Sequence, residues 1–272
     1  MSFGLGWHGV SELLILGSCT GFLAGLLGVG GGMLMVPFLT LLLSTKGVPP
    51  EHIVKMAIAT SLATICFTSV ASLHAHHRRG AVLWPVVRLL APGIVLGSMA
   101  GAQIAKALPS PALAVLFALF VSFSAIQMLL DRKPQPTRQL PHGAGMFGAG
   151  AVLGLLASMV GAGGAFISVP FMTWCNVKMH NAVATSAALG FPIAVAGTVG
   201  YIIAGWSLQG MPAGTLGFIY LPALFTLSAA SVLTAPLGAR TAHRLQKRHL
   251  QRGFAVLLFG LAATMIYKAA GA

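Results

Sequence analysis

The sequence predicts an all-α polytopic membrane protein made of two related halves. Three observations predict it. Only 7% of the 272 residues are Asp, Glu, Lys or Arg, while 57% are hydrophobic. A soluble domain carries about 25% charged residues, so this composition cannot make a water-facing surface. The apolar residues fall into eight runs parted by short polar breaks. A glycine-rich motif followed by a proline occurs twice in the chain.

The elements follow in order. The first run, 10–45, is closed by Lys46-Gly47-Val48-Pro49-Pro50. A continuous helix over its 35 residues from Val10 to Ser44 would be about 52 Å long. The hydrocarbon core is only about 30 Å thick. Gly28-Val29-Gly30-Gly31-Gly32 is a poor helix interior, so the run should break there. Run 54–75 ends at His76-His77-Arg78-Arg79-Gly80, and run 82–105 at Leu108-Pro109-Ser110-Pro111. Run 112–130 ends at the polar stretch Asp131 to His142, which reads as a linker. The second half opens with 144–176, which should break around Gly161-Ala162-Gly163-Gly164. Runs 182–205, 214–237 and 253–268 complete it. Residues 1–131 are thus a first membrane repeat, 132–142 a linker and 143–272 a second repeat.

Three collinear matches support the repeat. Gly28 to Phe38 matches Gly161 to Phe171, Ala59-Thr60-Ser61 matches Ala184-Thr185-Ser186, and Gly101 to Ala105 matches Gly238 to Ala242. Internal repeats of this kind are a common plan of secondary transporters. Each half then has four segments and opens with a re-entrant or discontinuous helix. If that helix is a hairpin, the halves are inverted, and twelve of the sixteen basic residues share one side with four opposite. If all eight runs cross fully, the halves are parallel and the split is nine to seven. The excess of Lys and Arg in cytoplasmic loops favours the inverted arrangement. It puts both termini outside, in what would be a bacterial inner membrane. Met1 to Val10 lacks a basic leader, so the first run reads as an uncleaved anchor. Trp7, Trp84, Trp174 and Trp206 lie near run ends, where indoles anchor at the interface.

The net charge of +13 does not indicate nucleic acid, because the basic residues sit in the breaks between apolar runs. The scarcity of acids says more. Glu12, Glu51 and Asp131 are the only three, and all lie near run ends. Proton and sodium carriers commonly bury a carboxylate mid-span, and this chain has none to offer. Three acids also leave little for a catalytic triad, so no enzyme is expected. The cysteines, Cys19, Cys66 and Cys175, show no pair spacing and read as packing residues.

The candidate solute site is the pair of glycine breaks. A broken helix presents free N–H groups with positive partial charge, and glycine lets a ligand approach the backbone. Gly30, Gly31 and Gly32, with Gly163, Gly164 and Ala165, could face one another near the midplane and hold an anion. The hydroxyls of Thr60, Ser61, Thr185 and Ser186 could donate to it, or bond back to helix carbonyls. Lys55 and its matched partner His180 could attract an anion at the entrance. Pro37 and Pro170 would suit the first turn of each second half-helix. The breaks are not a dinucleotide fingerprint, since position 33 is Met33, and no cofactor is expected. His74, His76 and His77 have no thiolate or carboxylate beside them and read as part of a basic loop rather than a metal site. The stripe Gly93, Gly97, Gly101 suits close helix packing, within a protomer or between protomers of a homo-oligomer.

The paired segments Gly28 to Pro37 and Gly161 to Pro170, each followed by Ala-Thr-Ser, resemble the TauE/SafE family of sulfite and organosulfonate exporters, grouped with the toluene-sulfonate uptake permeases. Arg78-Arg79-Gly80-Ala81-Val82 is similar to that family's basic loop. The resemblance covers nearly the whole chain and implies a transporter of small sulfur-containing anions such as sulfite, thiosulfate or an organosulfonate. Ala165 departs from the first-half pattern, so the two breaks need not be equivalent. The other readings are a carrier of a different solute, such as a metal or organic cation, and a non-transport assembly factor or intramembrane enzyme.

Overall fold

The computed structural model describes residues 7–27, 32–130, 139–208, 211–242 and 247–270. They form α1 (Trp7–Leu27), α2 (Gly32–Thr45), α3 (Pro50–Arg78), α4 (Trp84–Ala107) and α5 (Ser110–Leu130), then α6 (Ala144–Val160), α7 (Ala165–Trp174) and α8 (Met179–Gly205). A two-stranded hairpin, β1 (Thr215–Leu216) and β2 (Ile219–Tyr220), precedes α9 (Leu221–Ala242) and α10 (Lys247–Ala270). Four described helices, α3, α4, α5 and α8, are long and apolar enough to cross a bilayer. Leu119, Phe123, Phe225 and Leu233 are exposed, which suits surfaces that face lipid rather than water.

The second long opening run is interrupted where glycines cluster, and in the first run residues 28–31 lie outside the described residues. Described helix ends at Leu27 and resumes at Gly32, and α6 ends at Val160 with α7 starting at Ala165. One expectation needs correcting. The run 214–237 does not begin as helix, because residues 215–220 form the antiparallel hairpin. Apolar content alone does not separate a buried hairpin from the start of a span.

Contacts fix how the helices run. Leu83, just after α3, donates its N–H to Thr185 Oγ1, early in α8, at 3.0 Å. At the other end Tyr220, which follows α8, donates its N–H to Thr60 Oγ1, early in α3, at 3.1 Å. Hence α3 and α8 lie antiparallel. We call the end with β1–β2 the hairpin end, and the end with the α3–α4 connection, Arg78, Arg79 and Lys178, the basic end.

Little hydrophobic force drives helices together in lipid, so small residues and close contact must. Gly150 and Gly154 of α6 meet Leu90 and Ile94 of α4, and Gly93, Gly97 and Gly101 of α4 meet α6 in return. A Cβ added at Gly97 would fall on the Ala151 carbonyl. The stripe therefore packs within the chain. The α1–α9 contact is built alike, with Gly17 against Leu227 and Gly21 against Ser231, and Ser231 Oγ donating to the Gly17 carbonyl at 3.0 Å. Ser98 Oγ donates similarly to the Gly154 carbonyl at 3.2 Å. The fifth helix of each half, α5 and α10, pack together.

Candidate functional site

The start of α2 meets the break between α6 and α7. A Cβ built on Gly32 would lie 2.6 Å from the Gly161 carbonyl oxygen and 3.3 Å from Ala162 Cα. It would also lie 2.6 Å from Ile65 Cδ1. Ile65 is near the middle of α3, so the contact lies level with the middle of that helix. Gly161 and Gly164 have φ of 72° and 74°, which favours glycine at both positions. Gly164 is the N-cap of α7 and supplies no side chain to its leading N–H groups. Gly163 is half-buried and lies over Ile65 Cγ2. Ala165 is the first residue of α7. Gly30 and Gly31 lie outside the described residues.

The hydroxyls are placed with more differentiation than their repetition suggested. Ser61 Oγ shares its proton between two carbonyls, Gly161 at 3.0 Å and Gly32 at 3.2 Å. Ser186 lies 2.6 Å from Ser168 Oγ, which donates to the Gly164 carbonyl at 2.9 Å. Thr60 and Thr185 face away from the glycines, each accepting the N–H of a connection in the other half. All five are almost fully buried. Ser168 was not singled out by the sequence, because its counterpart 133 residues earlier is Met35. Its position three residues after Ala165 was the available signal.

Other candidates separate from the midplane. Lys55 is buried, and its Nζ donates to the Lys106 carbonyl at 2.8 Å, at the C-terminal end of α4. A cation there satisfies an orphan carbonyl and the negative helix end. His180, its matched position, is exposed at the start of α8. Pro37 and Pro170 are each the sixth residue of α2 and α7, inside the second turn rather than the first. Each removes the N–H that would bond four residues back. His77 Nδ1 accepts the Trp84 Nε1 proton at 3.2 Å. Among the described residues, no three His, Cys, Asp or Glu side chains come together as metal ligands.

Residues 13–265 match the family described as sulfite exporter TauE/SafE. The chain belongs to the TauE/SafE family. It is 36% identical to a probable membrane transporter protein of Haemophilus influenzae, over 94% of this chain and 97% of that one. A probable membrane transporter protein of Methanocaldococcus jannaschii is 24% identical over 88% of each chain. One from Bacillus subtilis is 30% identical over 76% of this chain and 86% of its own. No solved structure matches the chain. This TauE/SafE protein is therefore a membrane protein of a transporter family, and four of its described helices are long and apolar enough to be spans.

Proposed function

We propose that the protein moves small sulfur-containing oxyanions, such as sulfite, thiosulfate or an organosulfonate, out of the cell by alternating access. The observation that carries this is the contact of Gly32 with Gly161 level with the middle of α3. It gives the chain a bare backbone junction at mid-depth, the usual place for a transporter's site. The serines occupy the carbonyls of Gly32, Gly161 and Gly164. The donors left at the junction are backbone N–H groups at the start of α7, which suit a compact anion.

Matched contacts support two inverted halves. Gly17–Leu227 corresponds to Gly150–Leu90, Gly21–Ser231 to Gly154–Ile94, and Thr60–Tyr220 to Thr185–Leu83. The antiparallel course of α3 and α8 fits the inverted arrangement, with the basic end in the cytoplasm and both termini outside. Export of one negative charge from a negative interior is favourable by about 2.3 kcal/mol per 100 mV. An exporter of this kind therefore needs no coupled cation and no buried carboxylate.

The test is anion flux into proteoliposomes at clamped potential, with sulfite, thiosulfate, sulfate and a sulfonate, with and without Na⁺ and a pH gradient. Flux of one anion driven by potential alone is expected. Gly164→Leu should abolish it while the protein still inserts and elutes as a single species. Unchanged flux in that variant overturns the site, and no flux of any anion overturns the substrate class.

A further inference from the structure

We infer that Phe218, carried on the β1–β2 hairpin, plugs the path between the midplane glycines and the hairpin end, so that the midplane is reached more readily from the basic end. This rests on the reading of the glycine junction as the solute site.

The two connections that follow α3 and α8 differ in length and course. Residues 79–83 join α3 to α4, whereas residues 206–220 join α8 to α9. Added residues in a connection ordinarily run over the surface. Here the last three turn inward, with Phe218, Ile219 and Tyr220 1%, 2% and 5% exposed. Non-helical backbone at such depth is tolerated only when the protein satisfies its polar groups. The hairpin meets that condition. Phe218 N–H donates to the Tyr201 carbonyl at 3.5 Å, Leu221 N–H to Gly214 at 3.0 Å, and Tyr220 N–H to Thr60 at 3.1 Å.

The fit to α8 also demands glycine. A Cβ on Gly205 would lie 2.6 Å from Phe218 N, and one on Gly217 would lie 2.6 Å from the Ile202 carbonyl. The Phe218 ring lies edge-on between His52 of α3 and Tyr201 of α8, at centroid distances of 5.8 and 6.2 Å. Tyr201 then donates its hydroxyl to the Ser158 carbonyl at 3.3 Å, in the last turn of α6. That turn runs directly into Gly161. The plug is thus joined through one buried tyrosine to the midplane junction. At the basic end the corresponding connection is held by two hydrogen bonds, Leu83 to Thr185 and Asn181 Nδ2 to the Ala81 carbonyl at 3.0 Å, and by the buried aliphatic side chain of Val82. No described aromatic ring is stacked into it beyond the exposed His77–Trp84 pair.

Ile65 touches both glycine interruptions and serves as the reporter position. In the full chain with Cys19, Cys66 and Cys175 changed to Ser, Ile65→Cys is labelled with a membrane-impermeant methanethiosulfonate. Intact cells and inside-out vesicles are compared, and Arg79→Cys in the same preparations shows which of them presents the basic end. A hairpin-side opening that is a minor state predicts labelling at least about tenfold faster from the basic end. Phe218→Ala should raise the hairpin-side rate and leave the basic-side rate unchanged. Equal rates with Phe218 present overturn the inference, as does a Phe218→Ala variant with an unaltered hairpin-side rate. Should Phe218→Ala fail to fold, Phe218→Leu keeps the apolar bulk without the edge-on contacts and should give a smaller rise; no rise overturns the inference. Labelling needs no solute. Asymmetric labelling without anion flux therefore removes the substrate reading alone, and symmetric labelling with flux removes the plug alone.

Discussion

The connection 79–83 follows α3 and the connection 206–220 follows α8, at opposite ends of that antiparallel pair, and each is fastened to a threonine of the other helix. One adds little to that fastening, while the other drives an aromatic side chain into the protein. The lesson is that a shared hydrogen bond can fix where a connection lies without fixing how tightly that end is shut. Tightness comes from packing, which varies independently of the repeated motif.

The comparison is tested most severely by glycine substitutions at the two ends. Gly205→Leu would drive a Cβ into the hairpin backbone and should cost about 3 kcal/mol or more, the upper part of the overpacking range. Gly80, with φ of 65° and open space around its Cα, should accept Ala for about 1 kcal/mol. Thermal unfolding in detergent reads both, and equal losses would break the contrast. A smaller effect is expected for Thr60→Val and Thr185→Val. Each leaves a backbone N–H without its acceptor, buried at Tyr220 and half-buried at Leu83, at about 1–3 kcal/mol. Similar losses would sharpen the correspondence between the two threonines, and a loss confined to one would break it. Smallest are the side chains of the basic end. Asn181→Ala should cost about 0.5–1.5 kcal/mol through its bond to Ala81, and His77→Ala, at an exposed site, should stay within about 0.5 kcal/mol.

Much of this arrangement could be read from the sequence, for reasons tied to length and composition. An apolar run too long for the bilayer must turn or break, and in the second half Gly161–Gly164 marks where. The antiparallel course of α3 and α8 agrees with the uneven distribution of Lys and Arg. Other features depend on partners far away in the chain. Thr60 and Thr185 looked like anion donors, but their acceptor role requires knowing that Tyr220 and Leu83 lie beside them. Lys55 looked like an entrance charge because Lys106 is 51 residues away. The hairpin was hidden inside an apolar run, since Leu216, Phe218, Ile219 and Tyr220 resemble the start of a span. Ser168 was hidden for the opposite reason, because comparison of the halves sets it against Met35.

The packing of α1 on α9 also governs how the chain can be assembled during synthesis. Gly17 finds Leu227 only after 210 more residues have been added, which takes about 10–40 s at ribosomal rates of 5–20 residues per second. Until then the first helix has no mate for its glycine face. The amino-terminal half must therefore wait in the bilayer unfinished. Only when the last quarter of the chain arrives can α1 pack on α9.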